Sequence, residues 1–566
     1  LVAALRNRHR PEAIDDRDDA ELPAPHRQRT LIRAVHRAES DPNTDAPRHG
    51  SLHLVTLLAG LDVGTSSIKA VVYDPTGKAL ARAAVPTPTH YPRPGWAYYD
   101  AEELWAGAVR VLREVLAALP DARAVAGIAV ASVGEAIVPL DNDGRPTGEV
   151  VAWFDTRTQP QVDWLDRHLG KDAIFASSGV SLQPIFSLCK LLWLKQERPD
   201  DWARTRRCLL VADYIAWRLC GVAATDHSLA SRTLMLNLHT LEWDRPTLDA
   251  AGIHPDVLAP LVPGGTRLGP VTPAAASETG LPETCVVASG GHDHVCGALA
   301  AGVTEPGQML NSLGTAEAIF LPLQRPITDP AAGRQGYTQG AHVVGGRPYV
   351  FAGQYTSGAS LAWARDLFAP PGGEPPPWDL LLAGAANAPA GSLGVCFLPH
   401  LRLANPPHDD PKSRGAFIGL STDVGRDALV RAVLEGLAFE TRATCEPLFA
   451  YPEVAPPRET IAIGGGARNE LLMRIKATVM GHPIEVIDAE EATALGAAVL
   501  GGLGAGVYKD VPDALSSLRH ARRVVEPDPD PAIRDLYERI YREVFLRLYP
   551  AVAAVNHAGV DILTGG

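Results

Sequence analysis

The chain is 566 residues long, 46% hydrophobic and 21% charged, with a formal net charge of −13. That length exceeds what one hydrophobic core organises, so two or three domains are expected, and the acidic balance argues against nucleic acid or an anionic membrane surface as partner. No apolar run nears the roughly 20 residues of a membrane span, and the seven scattered cysteines, with no CxxC pair, read as reduced structural thiols of a cytoplasmic protein.

The first fifty residues carry nine arginines, nine acids and few large apolar side chains, with neither helical nor strand periodicity. They fit neither a signal peptide, which needs an apolar stretch, nor a mitochondrial presequence, which is poor in acids. Residues 1–52 are therefore expected to be a disordered leader or the product of a start assigned too far upstream. From Leu54 onward apolar strand candidates alternate with helical segments, the mark of an α/β architecture. Residues 58–80, LAGLDVGTSSIKAVVYDPTGKAL, place two apolar runs around a bend that holds Asp62, Gly64, Thr65, Ser66 and Lys69. Residues 101–119 and 187–197 have helical spacing, while 125–132 and 136–141 read as strands, the second followed by the turn DNDG. Prolines break the chain at 369–378 and at 526–531, and Ile533, Leu536, Tyr537, Ile540, Val544 and Leu548 then predict a C-terminal amphipathic helix.

Residues 307–323, GQMLNSLGTAEAIFLPL, echo the opening stretch: an apolar run, a bend at Gly314–Thr315, a second apolar run. Two such units some 250 residues apart suggest two similarly built lobes. A Gly-Thr bend exposes main-chain N–H groups and a hydroxyl at one point, a nest suited to an anion. Two of them facing one cleft would hold the phosphates of a nucleotide, with Lys69 adding positive charge. Asp62, which phosphate repels, would act through Mg²⁺. The plain alternative for either unit is an ordinary hairpin whose Asp and Thr satisfy the turn. A third segment, IAIGGGARNELLMRIKATVMG from 461, runs a strand into Gly464, Gly465 and Gly466 and then into a helix bearing Asn469 in its first turn. That arrangement admits a nucleotide without being a Walker A loop or a Rossmann fingerprint. A fourth, VVASGGHDHVCGALAAG from 286, sets Asp293 at a helix entry. There it is either an N-cap or a carboxylate aimed into the cleft to take a proton from a hydroxyl. A zinc site at His292 and His294 lacks a third ligand at useful spacing.

In this order the four segments resemble one family, the FGGY carbohydrate kinases, over residues 56–550. FSLCKLLWLKQE at 186–197, with Lys190 and Trp193, and residues 414–442 add to the match. The resemblance implies two ribonuclease-H-like lobes of the actin and hexokinase type with an active-site cleft between them: 53–302 for sugar and phosphate, 303–510 for ATP, and 511–566 as a helical extension. It implies transfer of the γ-phosphoryl group of ATP to a hydroxyl of a sugar or polyol, in a monomer or homodimer. Asp293 would be the general base. Asp62 would hold Mg²⁺ with Asp293 close to the same ion. Gly64, Thr65, Ser66, Gly314 and Thr315 would line the phosphates, and Gly465, Gly466 and Asn469 the adenosine.

By the same resemblance Glu135, Trp153 and Asp155, with Asp293, would face the sugar. Gly134 and Ile185 stand where glycerol kinases carry an arginine and an aromatic, and Gly134-Glu135-Ala136 replaces the Met-His-Gly of typical xylulokinases. Glycerol is thereby disfavoured, and a ketopentose, hexulose or sugar alcohol stays open. Two rivals share parts of the pattern: an actin- or chaperone-like ATPase, and a catalytically silent sugar-binding regulator.

Overall fold

The computed structural model describes residues 56–404, 406–489 and 491–564, so the leader expected at 1–52 lies outside the described residues. The first sheet has six strands. Strand β1 (Leu57–Val63) is buried almost throughout, as expected of a strand covered on both faces. It pairs antiparallel with β2 (Ser67–Tyr73), which pairs antiparallel with the edge strand β3 (Ala79–Pro86). Helix α1 (Ala101–Ala117) follows, its N-terminus capped by the Asp100 side chain, which accepts from the N–H groups of Glu102 and Glu103. Strand β4 (Val125–Ser132) lies parallel to β1. Helix α2 (Ser187–Glu197) and the short α3 (His227–Ala230) precede β5 (Arg267–Pro270), β6 (Val286–His292) and α4 (Asp293–Ala300). The strand order is β5-β6-β4-β1-β2-β3.

The second sheet repeats the plan with seven strands. Strands β7 (Gln308–Leu313) and β8 (Glu317–Pro322) form the hairpin. Beyond β8 come β9 (Thr338–Ala341) and β10 (Pro348–Gln354), and then helices α5 (Gly358–Leu367) and α6 (Arg426–Cys445). Strand β11 (Glu459–Ile463) lies parallel to β7; α7 (Glu470–Met480), β12 (Ile484–Asp488) and α8 (Ala492–Ala505) follow. The order is β9-β10-β8-β7-β11-β12-β13, where β13 (Ala521–Val525) is a strand within the segment 511–566 expected as a helical extension.

This topology positions the site. Strands β4 and β6 run parallel to β1, with Val63 opposite Ser132 and Ser132 opposite His292, so the Gly64 bend, the Gly134-Glu135 turn and Asp293 all leave one edge of the first sheet. Likewise Ser312 pairs with Ile463, which sets the Gly314 bend beside the glycine loop.

Helix α8 belongs by sequence to the second half but packs on the first sheet. Its small residues allow backbone contact: a Cβ on Gly60 would fall 1.8 Å from the Ala494 carbonyl oxygen, one on Gly127 2.4 Å from that of Gly501, and one on Gly496 1.9 Å from that of Cys296 in α4. A hydrophobic cluster therefore runs through both lobes, joining Leu58, Ala129 and Ala288 to Val295, Leu310, Ile461 and Val499.

At the C-terminus, α9 (Pro531–Arg539) passes through a π-helical turn (Ile540–Phe545) into α10 (Leu546–Thr564). The wider turn shifts the helix face, so Tyr537, Tyr541, Phe545 and Leu548 are buried, while Val544, expected on the apolar face, is exposed. Among the described residues no helix is long and apolar enough to cross a membrane.

Candidate active site

The bend between β1 and β2 is closed from within. Gly64 N–H donates to the Ser67 carbonyl (3.1 Å), and Thr87 clamps the other side, its Oγ1 donating to the Gly64 carbonyl (2.7 Å) and its N–H to that of Ser66 (3.1 Å). The second bend is closed by Gly314 N–H to Ala316 O (2.9 Å) and seated on the start of α5, where Gly358 and Ala359 donate to the carbonyls of Gly314 and Thr315 (3.1 and 3.0 Å). The glycine N–H groups thus shape the bends. Among the described residues the N–H groups of Thr65, Ser66 and Thr315 form no main-chain hydrogen bond, which leaves them available to an anion.

Asp62 is the penultimate residue of β1, and its Oδ1 is buried and has no hydrogen-bond partner among the described residues. Burial first and the neighbouring Asp293 second push its pKa up to about 7, against the pull of Lys69. A cation would relieve that arrangement, so the two acids fit a divalent ion with oxygen ligands. Asp293 opens α4; its Oδ1 accepts from the His294 N–H (2.6 Å) and lies 3.3 Å from Nε2 of His292. Burial pushes His292 down to about 3, so its imidazole is neutral at physiological pH. A cavity of about 220 Å³ brings Asp62, Lys69 and His294 together with Ser312, Gly464 and Thr493.

Beside this cavity the glycine loop stays close to the second bend. Gly464 takes φ 93°, and a Cβ there would sit 2.5 Å from the Leu313 carbonyl oxygen; one on Gly466 would meet the Leu313 side chain at 2.9 Å, and Gly465 has open space. Asn469 caps α7, its Oδ1 accepting from the Leu472 N–H (3.1 Å). Beneath the second bend lies a buried ion pair: Lys476 Nζ donates to Glu317 Oε1 (2.7 Å), which also accepts from Asn311 (2.8 Å) and Thr441 (2.7 Å), while Ser357 donates to Oε2 (3.0 Å). Burial alone would raise the Glu317 carboxyl, but Lys476 and these hydrogen bonds hold it below its ordinary range.

On the sugar side, Glu135 is buried and its Oε1 accepts from Nε (2.8 Å) and Nη2 (2.7 Å) of Arg232. Helix α2 fixes its main chain: Ser187 Oγ and Lys190 Nζ both donate to the Glu135 carbonyl (3.0 and 2.9 Å), and burial pushes Lys190 down to about 8. Trp153 donates from Nε1 to Thr65 Oγ1 (2.8 Å), tying the sugar side to the first bend.

One expected residue is placed otherwise, and a second lines the cavity but is already partnered. Asp155 is not brought to the cleft: its fully buried carboxylate holds the Ala97 N–H and the Arg157 guanidinium, which stacks on Trp96. Lys69, expected at the phosphates, is paired with Glu491 at 2.9 Å, and Glu491 stands at φ 54° just ahead of α8. Arg232 and Glu491 were absent from the sequence expectations. They lie 97 and 422 positions from their partners, and no local spacing announces them.

Models of the FGGY family of carbohydrate kinases match residues 57–300 with the N-terminal domain and 309–505 with the C-terminal domain. The chain is 28% identical over 489 residues to the xylulose kinase of Bacillus subtilis, covering 85% of this chain and 96% of that one. It is 32% identical over 475 residues to the glycerol kinase of Gloeobacter violaceus, covering 83% and 92%. Among solved structures, the xylulose kinase from Rhodospirillum rubrum superposes with a TM-score of 0.80 at 31% identity, covering 88% of this chain and all of that one.

Proposed function

Because the chain belongs to the FGGY family of carbohydrate kinases, we propose that it transfers the γ-phosphoryl group of ATP to a hydroxyl of a sugar or polyol, a ketopentose in the first instance, with Asp293 as general base. The observation that carries this reading is the buried Oδ1 of Asp62, without a partner among the described residues, beside Asp293 in a cavity walled by both sheets.

Phosphoryl transfer proceeds through a loose transition state, so positioning and charge outweigh covalent help. Asp62, with Asp293 near it, would hold Mg²⁺, which supplies charge neutralisation at the phosphates when bound. The N–H groups of Thr65, Ser66 and Thr315 would orient the phosphates, and Gly465, Gly466 and Asn469 would border the adenosine. Asp293 takes the proton that the acceptor hydroxyl loses as the new bond forms, and the neutral His292 beside it leaves the proton with the carboxylate. Trp153 aligns the acceptor with the phosphate bend through Thr65. Closure of the lobes would exclude water from the transfer. The seven free thiols suit the reducing cytoplasm.

The test is ADP release with Mg·ATP over ketopentoses, hexuloses and polyols, with Asp293→Asn alongside. Release that depends on one acceptor and falls about 10²–10⁴-fold in the variant supports the reading. Release indifferent to every acceptor favours an ATPase, and acceptor binding without release favours a regulator. Equal activity in the variant removes Asp293 from the role.

A further inference from the structure

Two features of the acceptor side are not explained by holding phosphate or metal. The first is the space above Gly134. A Cβ there would fall 2.5 Å from Arg232 Cγ and 2.7 Å from His292 Cδ2, so Arg232, arriving just beyond α3, already occupies the room that a side chain at 134 would need. It lies between Glu135 and the residue that precedes the base. The second is how unevenly the Glu135–Arg232 pair is used. Nε and Nη2 of Arg232 both donate to Oε1 of Glu135, and no hydrogen bond among the described residues engages Oε2. Nη1 reaches only Thr338 Oγ1, at 3.5 Å, on the first residue of β9 in the opposite lobe. One acceptor atom and one donor edge of a buried ion pair are left for something else.

We propose that this pair reads the acceptor: one hydroxyl donates to Oε2 of Glu135 while its neighbour accepts from Nη1 of Arg232, which selects an uncharged molecule with a vicinal diol and rejects an aldonate. This rests on the sugar-kinase reading above. A hydroxyl both donates and accepts, so adjacent hydroxyls complement a carboxylate–guanidinium pair, whereas a substrate carboxylate can only accept. The local balance adds to this. Glu135 offsets the Arg232 charge, Arg157 is held by Asp155 and Glu149, and Lys69 is held by Glu491. An aldonate would bring its carboxylate toward Glu135 and Asp293, and the nearby cation outside an ion pair, Lys190, is buried with its Nζ on the Glu135 carbonyl.

The test compares matched sets of equal carbon number, such as D-xylulose, xylitol and D-xylonate, as acceptors for the full chain with Mg·ATP. In the wild type the neutral member should exceed its aldonate in kcat/KM by about a hundredfold or more, the discrimination expected of buried polar groups left mismatched. Glu135→Gln frees the guanidinium. It should lower kcat/KM for the neutral acceptor about tenfold and raise that for the aldonate about tenfold, two opposite changes that a merely structural role cannot produce. Arg232→Met leaves a carboxylate buried alone and can fail to fold, so it is read beside the double variant Glu135→Gln/Arg232→Met. There the aldonate gain should vanish and KM for the neutral acceptor should rise. A wild type that prefers the aldonate, or a neutral-to-aldonate ratio within twofold of wild type in Glu135→Gln, overturns the proposal and leaves the kinase reading standing. A wild type inactive on every member overturns both.

Discussion

Lys476→Met tests the buried foundation of the second bend. The pair it breaks is almost wholly enclosed, the side chains of Lys476 and Glu317 being 1% and 0% exposed. Methionine keeps the length and removes the charge, which leaves the Glu317 carboxylate with Asn311, Thr441 and Ser357 but no cation. In the wild type the Glu317 pKa lies below the ordinary 4.5, so the pair contributes stability above that value and loses it as pH falls through the folded-state pKa. In the variant the same group is raised above its unfolded value and takes up a proton on folding. The charge penalty is therefore capped by the work of protonating it. At about 1.36 kcal/mol per pH unit, that cap is about 3.4 kcal/mol at pH 7 and about 1.4 kcal/mol at pH 5.5, taking 4.5 for the unfolded chain. The expected loss at pH 7 thus lies near the range for a broken buried pair, about 3–5 kcal/mol, and the gap to wild type narrows by about 2 kcal/mol on acidification. Urea unfolding followed by tryptophan fluorescence at both pH values reads this directly. The double variant Glu317→Gln/Lys476→Met should recover most of the loss. A cost below about 1 kcal/mol, or one equal at the two pH values, would falsify the reasoning.

Gly358→Ala should raise KM for ATP about tenfold or more and leave the acceptor KM nearly unchanged, because its Cβ would stand 2.5 Å from the carbonyl oxygen that seats the second bend; steady-state kinetics with varied ATP decides it. Trp153→Phe removes the hydrogen bond to Thr65 and should lower kcat/KM for the acceptor about tenfold, with the melting temperature within a few degrees of wild type. In a thiol titration at pH 8, at most one of the seven cysteines should react quickly in the native protein. Six are buried, Cys220 is half-buried, and burial raises all seven thiols; seven fast thiols before denaturation would contradict the packing described.

What could be read from the sequence was local. The run from Leu58 to Tyr73 shows its hairpin because two apolar stretches flank a glycine and hydroxyls, and β7–β8 repeats the signal. Asp62 and Asp293 were visible because each sits within a short motif at a strand end. The helix at 187–197 matched to the residue, since its apolar face is nearly continuous. What stayed hidden was pairing across the fold. Arg232 reaches Glu135, and Glu491 reaches Lys69, only after the sheets form. Asp155 carries the residue type of a sugar contact, but its neighbour Arg157 captures it before the cleft does. The π turn escaped because a period of 3.6 describes its flanks and fails within it.

The placement of α8 has a consequence for how the protein is made. One face of the first sheet rests on the backbone of Ala494, Ala498 and Gly501, residues that come some two hundred positions after that sheet's last strand. At about 5–20 residues per second, the ribosome leaves this face bare for some tens of seconds after β6 emerges. The N-terminal half is then a nascent chain with apolar strands and no lid. The insolubility expected of residues 56–302 expressed alone follows from the late arrival of one helix.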